Sequence, residues 1–266
     1  MRKKIAVFLI VVMFSCGLSA CSTTVNYNVF KETKDITEDV FKENNKNHET
    51  ENTTEYKPDN NIDDNMDIVK WEYSWKLLEN NKSYKMTLDI DMNKYKYYHS
   101  LKRKSLIESG YFKSYLMDEY NLQLAKRISN LFLTIQDECN FSTLQLVNEV
   151  AHFVHTLCTY ETDKDYNGTI EYPKYLIETL IDERGDCEDT TIFIASIVKE
   201  MGFDTVFFLY DDHIMVGVLG GEGVTGDYVT IGDKKYFCLE TTANGYTIGV
   251  MPEEYKYKTP KVINLN

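Results

Sequence analysis

Three side chains in the C-terminal half of the sequence are of the types that can together activate a thiol. Cys187 stands in "DERGDCEDTTIFIASIVKEMG", residues 182–202, among carboxylates and directly ahead of an apolar run. His213 opens "HIMVGVL" just after a "DD" turn, and Glu240 ends "YFCLE". The thiolate is the attacking form of cysteine, so the residue needs a group that lowers its pKa or takes its proton. An imidazole can do this, and a carboxylate behind the imidazole fixes its tautomer. The alternatives for Cys187 are a small core residue or a metal ligand.

The surroundings of Cys187 pull in two directions. The residue falls in the first turn of the helix that the apolar run predicts, with Asp186 or Gly185 as the cap. Unpaired N–H groups and the positive end of the dipole favour a thiolate there. Asp186, Glu188 and Asp189 oppose it, because like charge disfavours the anion. If those acids face solvent, an imidazolium at His213 outweighs them. The thiol is then expected to titrate below its ordinary value of about 8.5.

Positioning such a set requires a rigid frame. "TTIFIASIVKEM" is apolar nearly all round, so its helix is buried on all sides, and Gly202 suits its C-terminal cap. After it come "DTVFFLY", "HIMVGVL", "DYVTI" and "KKYFCLETT", β-branched and aromatic runs separated by turn residues. Upstream, "LAKRISNLFLTI" spaces Leu124, Ile128, Leu131 and Ile135 as a helix stripe. "STLQ" is a capping box from Ser142 to Gln145, and its helix carries Leu144, Val147, Ala151, Val154 and Cys158 on one side. Residues 162–173 read as a loop. "WEYSWKLLENNKSYKMTLDIDM" alternates about an "ENNKS" turn and reads as a strand pair. Helices, a central buried helix and then an antiparallel sheet make an α+β fold.

Two further patterns carry no chemistry. "GEGVTG", residues 221–226, has glycine-loop spacing but runs into a strand, where phosphate binding needs a helix N-terminus. It is a hairpin loop, and no cofactor is expected. Glu149, His152, His155 and Cys158 recur at helical spacing but do not complete a ligand set, so no metal is expected. His48 and His99 read as solvated.

The N-terminus has a basic "MRKK", an apolar "IAVFLIVVMF" too short to span a bilayer, and "LSAC" ending at Cys21. This resembles the signal and lipobox of bacterial lipoproteins. The resemblance implies cleavage of residues 1–20, acylation of Cys21, and a lipid-anchored protein on the extracytoplasmic face of the cell membrane. Residues 21–67 are polar and aperiodic, and read as a disordered tether. Residues 68–140 form the strand-and-helix part of the folded domain, and 141–266 its core. The net charge is −13, and loss of Arg2, Lys3 and Lys4 makes the remainder three charges more negative. This excludes nucleic acid as a partner and leaves membrane attachment to the lipid. Outside the leader and Cys21, the cysteines are Cys139, Cys158, Cys187 and Cys238, and three pairings are open to them.

"YPKYLIETLIDERGDCEDTTIFIASIVKEMGFDTVFF", "HIMVGV" and "YFCLETTANGYTIGVMP" resemble the transglutaminase-like superfamily, in a prokaryotic cysteine-peptidase-like branch. "FVHTLCTYETD" and "WEYSW" with "YKYYHS" extend the likeness over most of residues 70–252. It is most specific at 172–190 and 237–249. The resemblance implies a papain-like fold with Cys187, His213 and Glu240 in the triad positions. The reaction implied is attack on an amide of a protein or peptide through an acyl-enzyme, ending in hydrolysis or transfer to an amine. His155 and Asp186 are the candidate oxyanion or supporting residues. The sequence departs from the wider superfamily at Glu240, where Asp is usual, and from the branch at His155, where Gln is frequent, and at Leu176, where a second Pro is common. The alternative is a scaffold that kept the fold and lost turnover.

Overall fold

The computed structural model describes residues 23–24, 66–103, 111–168, 171–221 and 223–265. The leader, Cys21 and the tether up to residue 65 lie outside the described residues, apart from Thr23–Thr24. Those two form a short strand, β1, parallel to Tyr84–Lys85.

Strands β2 (Ile68–Lys76) and β3 (Ser83–Asp91) pair antiparallel in continuous register, from Ile68 opposite Asp91 to Lys76 opposite Ser83. Alternate side chains Tyr73, Trp75, Tyr84, Met86, Leu88 and Ile90 enter the core, as a half-buried hairpin requires. Asn81 takes the left-handed turn position at φ 57°.

Among the described residues, seven helices follow: α1 (Met92–Ser100), α2 (Phe112–Leu116), α3 (Glu119–Cys139), α4 (Thr143–Leu157), α5 (Asp163–Asn167), α6 (Leu176–Asp182) and α7 (Cys187–Glu200). The α3 stripe of Leu124, Ile128, Leu131 and Ile135 is buried. The capping box of α4 is formed in both directions. The expected loop at 162–173 instead contains α5, because the Thr162 side chain accepts from the Asp165 N–H and Gly168, at φ 75°, closes the turn. Two short strands were also not foreseen: β4 (Thr159–Tyr160) runs parallel to β5 (Arg184–Gly185).

Helix α7 is the pivot of the domain. Every residue from Asp189 to Val198 is buried. It packs on α2, α3, α4 and α6 and, across the domain, on the strands Thr205–Leu209 and Ile214–Leu219. Truncating a side chain such as Phe193, fully buried, would cost about 3–5 kcal/mol. The sheet on its other side has the order β10 (Lys261–Asn264), β6 (Thr205–Leu209), β7 (Ile214–Leu219), β9 (Lys234–Leu239), β8 (Tyr228–Ile231), with all neighbours antiparallel. The architecture is α+β. In "GEGVTG" it is Gly226 that allows a close backbone approach: at φ 113°, a Cβ there would lie 2.0 Å from the Gly249 carbonyl oxygen.

Candidate active site

The chain reaches Cys187 through a constrained passage. Glu183 ends α6 in the left-handed conformation, β5 follows, and Asp186 is the extended N-cap residue of α7. Glycine is required at 185, because a Cβ there would strike the Asp189 side chain at 2.6 Å. The Asp186 side chain makes no capping hydrogen bond. A hydroxyl cluster fixes the start of α7 to the sheet. Thr190 Oγ1 and Thr191 Oγ1 lie 3.1 and 2.9 Å from Thr241 Oγ1, and Thr191 Oγ1 donates to the Ile214 carbonyl at 3.2 Å. This cluster links the three segments that carry Cys187, His213 and Glu240.

His213 and Glu240 lie at the same end of the neighbouring strands β7 and β9, where Val216 faces Leu239. His213 Nε2 donates to Glu240 Oε2 at 2.8 Å. Glu240 is buried, and its Oε1 accepts from the Thr241 N–H at 3.0 Å, the Thr242 N–H at 2.8 Å and Thr242 Oγ1 at 2.6 Å. Burial pushes its carboxyl up, but His213 and Thr242 outweigh burial and hold it at about 2. The Tyr255 ring stacks on the imidazole with centroids 5.0 Å apart and planes at 24°.

Cys187 faces the opposite kind of environment. Its Sγ donates to Glu188 Oε2 at 3.2 Å. Burial pushes the thiol far up, the charges of Glu188 and Asp186 push it further, and the Ile214 N–H is the one opposing hydrogen bond. The expectation of a thiol titrating below about 8.5 therefore fails. It took the flanking acids to be solvated, whereas Asp186 is buried and burial raises the Glu188 carboxyl too. The bond from Thr191 Oγ1 to the Ile214 carbonyl ties the first turn of α7 to the start of β7, one residue from His213.

Asp163, brought in by α5, completes an acidic pocket. Carboxylate oxygens of Asp163, Asp186 and Glu188 all lie within 4.8 Å of one another. Burial and then Glu188 raise Asp186 to about 8, and burial and then Asp186 raise Asp163 to about 6. Asp186 Oδ1 is buried without a hydrogen-bond partner. An all-oxygen set of this kind suits a hard cation such as Ca²⁺, and the sequence reading, which expected no metal, did not bring these three residues together. Behind them, Lys174 Nζ lies 3.8 Å from Asp189 Oδ2 and 3.6 Å from Asp182 Oδ2.

His155 is buried on α4 against the backbone of Glu240 and Thr241. Burial lowers its pKa, and hydrogen bonding to the Glu240 backbone opposes that. Its Nε2 is buried without a hydrogen-bond partner, and among the described residues no hydrogen bond joins it to Cys187. The residues that sequence reasoning missed are Asp163 and Tyr255. Asp163 had a local signal in its Thr162 cap. Tyr255 reaches the site only through tertiary structure. Cys139, Cys158, Cys187 and Cys238 are free. No described helix is long and apolar enough to cross a membrane. No protein-family model matches the sequence, and no curated protein is significantly similar to it.

Proposed function

We propose that this chain is a thiol enzyme of the transglutaminase-like superfamily, with a papain-like fold, that acts on amide bonds of proteins or peptides through an acyl-enzyme. It is held on the extracytoplasmic face of a membrane by acylated Cys21. The observation that carries the reading is the 2.8 Å bond from His213 Nε2 to an ionised, fully hydrogen-bonded Glu240, beside the first turn of the Cys187 helix, which Thr191 Oγ1 ties to the Ile214 carbonyl and to Thr241.

With Nε2 committed to Glu240, Nδ1 is the ring nitrogen left for the thiol. His213 takes the Cys187 proton, and the sulfur attacks the carbonyl carbon. The imidazolium, stabilised by Glu240, returns the proton to the departing amine. The Cys187 N–H at the start of α7 donates to the oxyanion. Water or a second amine then releases the acyl group. Tyr255 covers one face of the imidazole and restrains its rotation.

A second reading has its own support. The hydrogen bond of Cys187 to Glu188, and the rise in thiol pKa that accompanies it, favour a binding module without turnover. The test is labelling of the full chain with a peptide chloromethyl ketone, read by mass spectrometry. The enzyme reading expects an adduct on Cys187 that His213→Ala abolishes. Equal labelling in both proteins would leave the binding module.

A further inference from the structure

We propose that Thr241 is a positioning residue whose side-chain hydroxyl sets the distance between the Cys187 helix and the strands that carry His213 and Glu240. This rests on the triad reading above and adds to it the group that holds the three members in place.

The triad comes from three segments, and no single backbone ladder joins them. Strands β7 and β9 pair with each other, which fixes His213 against Glu240. Helix α7, with Cys187 in its first turn, packs on that sheet through side chains. Apolar packing has no preferred direction and leaves the helix free to shift, whereas hydrogen bonds fix distance and angle.

Three buried hydroxyls supply the directed bonds. Thr190, Thr191 and Thr241 are all buried. Thr190 Oγ1 shares its proton between the Asp186 carbonyl at 2.9 Å and Thr241 Oγ1 at 3.1 Å. Thr191 Oγ1 donates to the Ile214 carbonyl at 3.2 Å. A hydroxyl carries one proton, so in the 2.9 Å contact between Thr191 and Thr241 the donor is Thr241. The chain therefore runs one way, from Thr190 to Thr241 to Thr191 to Ile214, the residue after His213. Within it Thr241 both accepts from α7 and donates to α7. Its own backbone N–H donates to Glu240 Oε1 at 3.0 Å. One residue thus holds the nucleophile's helix with its side chain and the triad carboxylate with its main chain.

Burial alone does not produce such a chain. Thr179 and Thr205 are also fully buried, and their Oγ1 atoms have no hydrogen-bond partner. Valine keeps the shape of threonine without the hydroxyl. In Thr241→Val the Thr191 proton still reaches Ile214 and the Thr190 proton still reaches Asp186, so neither donor is orphaned and the fold is retained. What is lost is the tie between α7 and the end of β9. A shift of about 1 Å between reacting groups costs on the order of 10² in rate.

The test measures acylation of Cys187 by p-nitrophenyl acetate in the full chain, with thermal melting to check folding. As the S–C bond forms, the thiol proton passes to His213 and p-nitrophenolate leaves. Thr241→Val should acylate on the order of 10²-fold more slowly with little change in KM. Thr241→Ser, which restores the hydroxyl, should recover most of the rate. Thr205→Val, the same exchange at an unbonded hydroxyl, should react like wild type. Thr241→Val placed on His213→Ala should cost little more than His213→Ala alone, because the hydroxyl acts through the imidazole. A wild-type rate in Thr241→Val would overturn the proposal, as would equal losses in Thr241→Val and Thr241→Ser or in Thr241→Val and Thr205→Val. Full additivity with His213→Ala would overturn it too. Should Thr241→Val not melt cooperatively, Thr191→Val cuts the same chain at its next link: a slow rate supports the proposal and a wild-type rate overturns it. If His213→Ala itself acylates like wild type, the triad reading has failed and the proposal falls with it. If His213→Ala is slow and Thr241→Val is not, the proposal alone falls.

Discussion

The two sides of the site hold the same functional group in opposite states. On the sheet side, the Glu240 carboxylate accepts three hydrogen bonds on one oxygen and the His213 bond on the other, and sits at about 2. On the helix side, Asp186 and Asp163 are comparably buried, yet rise to about 8 and about 6. Burial pushes all three upward. The difference lies in what meets the oxygens: N–H and O–H donors around Glu240, but mainly other carboxylates around Asp186. The molecule thus has a charged wall that stabilises an imidazolium and an acidic wall that keeps the thiol protonated.

The most severe way to break this contrast is Glu240→Gln. The amide cannot stabilise the imidazolium, and it sets an N–H or a carbonyl where three donors converge. Acylation of Cys187 by p-nitrophenyl acetate should fall on the order of 10³-fold. A rate within tenfold of wild type would show that the charged wall does not serve catalysis.

The two walls also give opposite slopes of stability against pH. Glu240 has a folded pKa below its ordinary value of 4.5, so its contribution is complete above that value. It is lost as pH falls toward 2, and amounts to about 3 kcal/mol. Asp186 and Asp163 are raised, so the folded state holds their protons longer than the unfolded chain does. Their effect is to lower stability as pH rises from about 4 to about 8. Thermal melting across pH should therefore show a shallower alkaline decline in Asp186→Asn and lose its acid decline in Glu240→Gln. Parallel curves for wild type and Asp186→Asn would remove Asp186 as the cause.

Glu188→Gln sharpens the contrast from the helix side. Removing the carboxylate that accepts the thiol hydrogen bond lowers the thiol pKa. Iodoacetamide alkylation at pH 7 should rise by roughly tenfold, since each pKa unit is a factor of ten in thiolate. An unchanged rate would mean that burial alone sets the thiol.

The smallest effect is expected from Tyr255→Leu. Loss of the stacked ring lets His213 rotate but leaves the Glu240 bond in place, so acylation should fall by about three- to tenfold, a stacking loss of order 1 kcal/mol. A larger loss would show that the ring does more than restrain the imidazole.

Much of the frame was legible because it is written in local patterns. The capping box at Ser142, the α3 stripe and the all-round apolarity of α7 each follow from spacing within one element. His213 and Glu240 could be named because each lies where an apolar strand run meets turn residues. The burial of Asp186 and Glu188 was not legible. A carboxylate in the first turn of a helix reads as favourable and solvated, and only α5, which carries Asp163, shows that the turn is enclosed. Tyr255 was hidden for a related reason. It depends on β10 returning to β6, which carries the segment after Glu240 back across the sheet.

The acidic pocket also has an order in time. Asp163, Asp186 and Glu188 precede or adjoin Cys187 in the chain, whereas His213, Glu240 and Tyr255 all follow it. A chain made from its N-terminus presents the acids first and the base last. The His213–Glu240 pair therefore forms only once β9 has joined β7, after the segment with Cys187 and its acids has been made.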